Sequence, residues 1–415
     1  MRRLLAISTG TLLLGALALL PPGTARAGER LAPECAADNG GLVLPAGLCA
    51  AVVAESIGTV RHIGVAPNGD LFAARTGRTG GLFLLRDADG DGRAEVVRQV
   101  YEGSGSGVLV TTDAVYFAPN DRVLRFPWRW GSLEPAGPVE TIVSGLPADR
   151  SHAAKTMAMG PDGRIYVNIG VPSNSCQVDQ RTPRSPGIDP CTELQDRGGI
   201  WSFDARRPGQ GPADGRRQAT GLRNAMAFGF EPSTGTLYMA THGRDNLVTW
   251  GWTQQASAEL PAEEFGPVPM GADYGWPYCY YDPFLRRKVL APEYGGDGQK
   301  TDRCAERTMP AIGFPAHWAP MSLAFYADTA LGASYRGGAF LSFHGSWNRA
   351  PMQQAGYRVV FIPFEGGRPT GLWTDFVLPS GGPTAIRPVG LAAGPDGSLY
   401  LSADANQKIW RIWRR

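Results

Sequence analysis

The chain has 415 residues, a formal net charge of +2, 19% charged and 43% hydrophobic residues, and six cysteines. A balance so close to neutral excludes a bulk attraction for nucleic acid or anionic lipid, and after the N-terminal segment no apolar run approaches the ~18 residues of a membrane span. Gly (55) and Pro (34) make up about a fifth of the chain without low-complexity tracts, which points to many tight turns between short elements and away from long helices.

At the N-terminus, Arg2-Arg3, an apolar run from Leu4 to Leu20 and Ala25-Arg26-Ala27 read as a secretory signal peptide over residues 1–27. The arginine pair fits either the twin-arginine or the general secretory route. Residues 28–415 are then expected to be a single exported domain, periplasmic or secreted, with no transmembrane segment. Arg2, Arg3 and Arg26 leave with the leader, so this portion carries a net charge of −1. Cys35, Cys49, Cys176, Cys191, Cys279 and Cys304 all follow the leader, an even count that predicts disulfides in an exported chain. Their grouping suggests three local bridges among 15 connectivities. None forms a haem-attachment or Cys-x-x-Cys motif.

A turn-and-strand unit then recurs: "VAPNGDLFAAR" (Val65–Arg75), "MGPDGRIYVNIG" (Met159–Gly170), "FEPSTGTLYMATHG" (Phe230–Gly243) and "AGPDGSLYLSADA" (Ala393–Ala405). Pro presets φ for the second turn position and Gly accepts positive φ, so each unit encodes a hairpin bend into an antiparallel strand. Weaker copies are "TTDAVYFAPNDRVLRFP" and "RGGAFLSFHG". Spaced repeats of four-strand size predict an all-β, six-bladed β-propeller. The spacing gives about 65 residues per blade against roughly 40–45 for a minimal one, so long inter-strand loops are expected, mainly at 172–197 and 259–311. "LCAAVVAES" precedes the first full unit and "KIWRIW" ends the chain; the two are expected to share the last blade.

Within the first blade, "RDADGDGRAE" places Asp87, Asp89, Asp91, Gly92 and Glu95 as in the first half of an EF-hand loop, but position 12 is Arg98. An acidic Gly-rich hairpin is the expectation, with a structural Ca²⁺ as the alternative. Of the five histidines, His62, His152, His242, His317 and His344, most sit in Gly-, Asn- or Pro-rich contexts at strand ends, where propeller loops converge on a central channel. Arg223-Asn224 and His242-Gly243-Arg244 flank a hairpin, whose geometry returns both to one face.

These motifs resemble those of the soluble pyrroloquinoline quinone (PQQ) dependent sugar dehydrogenases, of glucose or sorbosone type. The resemblance rests on His152 ahead of Gly-Pro-Asp-Gly, Gly-Leu-Arg-Asn at 221–224, Tyr-Gly-Trp-Pro at 274–277, Phe-His-Gly-Ser-Trp-Asn-Arg at 343–349 and Arg-Pro-Val-Gly at 387–390. It implies that His152 is the general base and that Arg223, Asn224, His242, Gly243, His344 and Arg387 contact PQQ. It also implies that the backbone carbonyls of Gly243 and Arg244 hold Ca²⁺. An imidazole titrates near working pH, an arginine stabilises charge developing on a quinone oxygen, and hard oxygen ligands suit Ca²⁺. Four positions depart from the glucose-oxidising members, one of them His242, which takes the cofactor role of a glutamine. Val171 replaces the carboxylate that orients the base, His344 stands at the PQQ-binding lysine and Ala385 at the first arginine of an Arg-x-Arg pair.

The resemblance therefore implies oxidation of a sugar, polyol or aldehyde in the manner of the sorbosone-type branch, with electrons leaving to an external cytochrome or quinone. Two alternatives stand beside it: a Ca²⁺-dependent lactonase-like hydrolase, and a non-catalytic propeller that binds glycans or proteins. The hydrolase needs carboxylates at the channel, where the loops identified here supply Arg, His and Asn.

Overall fold

The structure, a computed structural model, describes residues 33–149 and 151–415; the expected leader lies outside the described residues. Six sheets, each built on four antiparallel strands, form the blades of a propeller. The innermost strands are Val60–Val65, Gly105–Val110, Met157–Met159, Ala227–Phe230, Pro320–Phe325 and Pro388–Ala393, for blades one to six in chain order. A fifth strand extends blade three through a parallel pair, Ala219 to Ala272, and another extends blade five, where Leu42 pairs with Pro379.

Each strong repeat copy is the hairpin that joins a blade's innermost strand to its second. In blade three, Met159 pairs with Ile165 across the Gly160–Gly163 turn, and blades one, four and six repeat the arrangement. One weaker copy differs from expectation. In blade two the Pro119–Asp121 turn joins the second and third strands, Ala114–Pro119 and Arg122–Pro127, because the first hairpin turns through Thr111–Asp113 without Pro or Gly.

A four-stranded sheet cannot bury its own faces, and here each is covered by its neighbours. Six buried clusters each span one pair of adjacent blades, so the apolar layers run unbroken around the ring. Between blades one and two, for example, Phe72 meets Trp128 edge to face at 4.9 Å. The ring closes as expected: Leu48–Ala54 pairs with Lys408–Arg414 in blade six, Leu48 opposite Arg414. The three local disulfides, Cys35–Cys49, Cys176–Cys191 and Cys279–Cys304, are all present. The long loops at 172–197 and 259–311 carry two of them.

The "DADGDG" stretch is the turn between the third and fourth strands of blade one. The carboxylates of Asp87, Asp89, Asp91 and Glu95 lie within 4.8 Å of one another, and the amides of Ala88, Gly90 and Gly92 donate to Glu95 and Asp87.

The repeat hairpins occupy one face of the ring. The opposite face therefore collects the heads of the innermost strands and the tails of the second strands, and both sets carry the unusual polar residues. Just beneath that face, Met226, Met321 and Val389 are buried together with Ala154 against them. His62 packs beside this layer, its ring nitrogens 2.8 Å from Met321 O and 3.1 Å from Ser106 O. Below it the bore widens into a cavity of about 340 Å³ lined by all six innermost strands.

Candidate active site

His152 precedes the innermost strand of blade three and adopts φ +55°. Lys155 holds this left-handed loop from beneath by donating to the carbonyls of Pro147 and Ala153. The tail of the blade's second strand passes directly behind: His152 Nδ1 lies 2.7 Å from Val171 O. A carbonyl only accepts, so Nδ1 carries the proton and Nε2 keeps its lone pair. The backbone of Val171 thus orients the histidine at the position where the resemblance expects a carboxylate side chain. Burial, followed by Arg223 and His242, lowers the His152 pKa to about 3, which keeps the ring neutral.

Arg223 and Asn224 precede the innermost strand of blade four, and His242–Asp245 follow its second strand. Arg223 Nη1 donates to Gly243 O at 2.9 Å and Nη2 to Asp245 Oδ2 at 2.8 Å, while its Nε is buried without a partner. His242 stands 6.5 Å from His152, ring centre to ring centre. Its Nε2–H donates to Pro320 O at 2.8 Å, and burial lowers its pKa to about 4. Arg244 turns its side chain away from the mouth into a buried ion pair with Glu293.

His344, after the second strand of blade five, is locked on both sides. Arg387 Nη2 donates to its Nδ1 at 2.9 Å, and its Nε2–H donates to Asp404 at 2.9 Å. Asp404 also accepts from Arg61 at 2.6 Å. Burial opposes its charge, but His344, Arg61 and Arg387 prevail and hold its pKa at about 2. The Arg387 Nε is buried without a partner.

Every candidate site residue named from the sequence therefore lies on this one face. His152, Arg223, His242 and Gly243 line a cavity of about 230 Å³ together with Arg181, Asp245, Glu263, His317, Trp347 and Asn348. Three carboxylates at the face correct the expectation that it offers only Arg, His and Asn. Asp245 follows His242 by three residues in a loop that reads as solvated, yet it is buried. Burial disfavours its charge, but Arg223 and His317 outweigh that and hold its carboxyl well below the usual range. Glu263 reaches in from the third strand of blade four, accepts from Gly243 N at 2.8 Å and Ala319 N at 3.1 Å, and is pushed up to about 7 by burial. Asp404 follows the last repeat strand as His242 and His344 follow theirs, so strand-tail position was the signal that could have found it.

Similarity to solved structures agrees with the propeller fold. The iodide structure of Trichoderma reesei Carbohydrate-Active Enzymes Family AA12 superposes with a TM-score of 0.76 at 19% identity, covering 90% of this chain and 98% of that one. The holo form of the pyranose dehydrogenase PQQ domain from Coprinopsis cinerea superposes at 0.74 and 21% identity, covering 92% and 98%. Among curated proteins, a pyrroloquinoline quinone-dependent pyranose dehydrogenase of Coprinopsis cinerea is 28% identical over 237 residues, 48% of this chain and 31% of that one. An uncharacterized protein of Borreliella burgdorferi is 25% identical over 207 residues, 47% of this chain and 48% of that one. The chain thus spans less than half the length of these two curated relatives. The TrAA12-like family model matches residues 42–415, and the chain belongs to that family.

Proposed function

We propose that this protein is a PQQ-dependent oxidoreductase that oxidises a hydroxyl-bearing carbon of a sugar, or of a related polyol or aldehyde, and passes the electrons to an external acceptor. The observation that carries the reading is the tautomer of His152. With Nδ1–H committed to Val171 O, a neutral Nε2 faces a cavity edged by guanidinium groups. The name of the Coprinopsis cinerea relative supports PQQ and a pyranose.

The donor set fits PQQ, which bears three carboxylates. Arg61, Arg223 and Arg387 stand at the mouth, and the last two each keep a buried Nε without a partner. When bound, PQQ supplies a quinone that accepts a hydride. Arg387 and His344 would hold its carboxylate edge, and Arg223 with Asn224 its quinone edge. His152 Nε2 would take the proton of the substrate hydroxyl as the C–H hydride leaves, and would release it to solvent afterwards. Ca²⁺ would polarise the quinone from the carbonyls of Gly243 and Arg244. Gly243 O accepts from Arg223 here, so the ion takes that oxygen only if Arg223 gives it up.

Three disulfides support an oxidising compartment, periplasmic or extracellular. Among the described residues no helix is long and apolar enough to cross a membrane. The hydrolase alternative gains Asp245 and Glu263 as cavity carboxylates, but their oxygens already accept from protein donors. The decisive experiment is a PQQ titration followed by absorbance, with and without Ca²⁺, and with dye reduction as the activity. His152→Ala is expected to leave the PQQ spectral change and to lose dye reduction by at least about 10²-fold. Lactone hydrolysis in the absence of PQQ, or no spectral change on adding it, would sink this reading.

A further inference from the structure

Ser346-Trp347-Asn348-Arg349 leaves the second strand of blade five as a single 3₁₀ turn over Trp347–Arg349. The turn is tied down on three sides. Ser346 Oγ accepts from Asn348 N at 3.2 Å, Asn348 Nδ2 donates to Asp245 Oδ1 at 2.7 Å, and Arg349 Nη1 donates to Ala258 O at 2.7 Å. Trp347 is the exception. Its side chain is left 72% exposed at the rim of the cavity that holds His152 and Asp245. An uncovered indole on a tethered turn beside a polar cavity offers a flat apolar face, and with only two χ angles it has little freedom to lose on binding.

Its neighbour adds an unmet demand of the opposite kind. Asn348 lines the same cavity, and its Oδ1 is buried with no hydrogen-bond partner. A buried acceptor without a donor is costly, and a ligand hydroxyl would relieve it. A pyranose carries both complements, since its ring C–H groups form apolar faces and its hydroxyls form a polar edge. We propose that Trp347 and Asn348 form a saccharide subsite, in which the sugar ring stacks on the indole and one hydroxyl donates to Asn348 Oδ1. Building on the function proposed above, this subsite sets which hydroxyl of the sugar reaches His152.

The test uses the full chain loaded with PQQ and Ca²⁺, and D-glucose, D-galactose, D-mannose and L-fucose as probes. Trp347→Ala is expected to raise KM by about tenfold with kcat within about twofold, as loss of uniform binding does, and Trp347→Phe to recover most of the change. The PQQ titration midpoint should not move. An unchanged KM in Trp347→Ala overturns the proposal, and so does a weaker PQQ midpoint, which would assign the indole to the cofactor. Saturation-transfer NMR on the same sugars separates this idea from the proposed function. If the wild type turns over none of them, the function proposal fails, while ring-hydrogen signals that vanish in Trp347→Ala still uphold the subsite. Absence of those signals in the wild type overturns it.

Discussion

A methyl group on residue 170 would sit 2.7 Å from His152 Cβ and 2.8 Å from both Asn224 Oδ1 and His152 O. None of these atoms is a free end. Asn224 is buried and accepts from Asn168, and the His152 backbone rides on the loop held by Lys155. Gly170→Ala is therefore expected to push His152 off Val171 O and to lower kcat by roughly 10²-fold, with an unchanged circular dichroism spectrum. Full activity in this variant would mean that His152 is not the base. At this scale the sequence was legible in placement, since His152, Arg223 and Arg387 all stand on the one face where the strand heads and tails collect. It was illegible where the backbone acts, as at Val171, or where burial changes the meaning of a letter. Asp245 and Glu263 look like ordinary loop and strand carboxylates until the blades surround them, and Asp404 reveals its purpose only when Arg61 arrives from the other end of the chain.

Strands and their hairpins were the most readable elements, because Pro and Gly impose turn geometry locally. The exception in blade two arose where the first hairpin lacks both. The loop over 172–197 could not be read in this way, since its shape comes from long-range ties. Val171 is buried against Cys176, Cys191 and Trp276, and Trp276 Nε1 donates to Asn174 O at 3.0 Å. The Cys176–Cys191 bridge closes a separation of 15 residues, a crosslink worth about 3 kcal/mol by chain entropy. It also backs the carbonyl that orients His152. The Cys176→Ala/Cys191→Ala double variant should therefore melt at a lower temperature and, assayed well below that melt, also show a reduced kcat. A lower melt with kcat intact would restrict the bridge to stability.

For the molecule as a whole, pH is the sharpest lever. Burial depresses His62 and His242 to about 4 and His152 to about 3, and it lowers His344 as well. Unfolded, these rings bind protons near 6.5. Their stabilisation is thus complete above that pH and is lost as pH falls towards 4, by up to about 1.4 kcal/mol per pH unit for each ring. Four groups oppose them, two of which, Glu264 and Glu193, are raised by burial. Glu263, raised to about 7, contributes most at low pH and loses that contribution as pH rises from about 4.5, and His317, raised by Asp245 against its burial, acts in the same sense. The four rings, three of them held at about 3 to 4, with Asp245 and Asp404 held low on the same side, are expected to prevail, so the melting temperature falls from pH 7 to pH 4.5 in thermal scans; a rise on acidification would contradict the balance. The plug of Ala154, Met226, Met321 and Val389, with His62 beside it, has a different consequence. It makes the mouth a room with one door. Under the proposed function, whatever enters to surrender electrons leaves by the way it came before their recipient approaches, so the two visitors take turns, and double-reciprocal plots at several acceptor concentrations should run parallel.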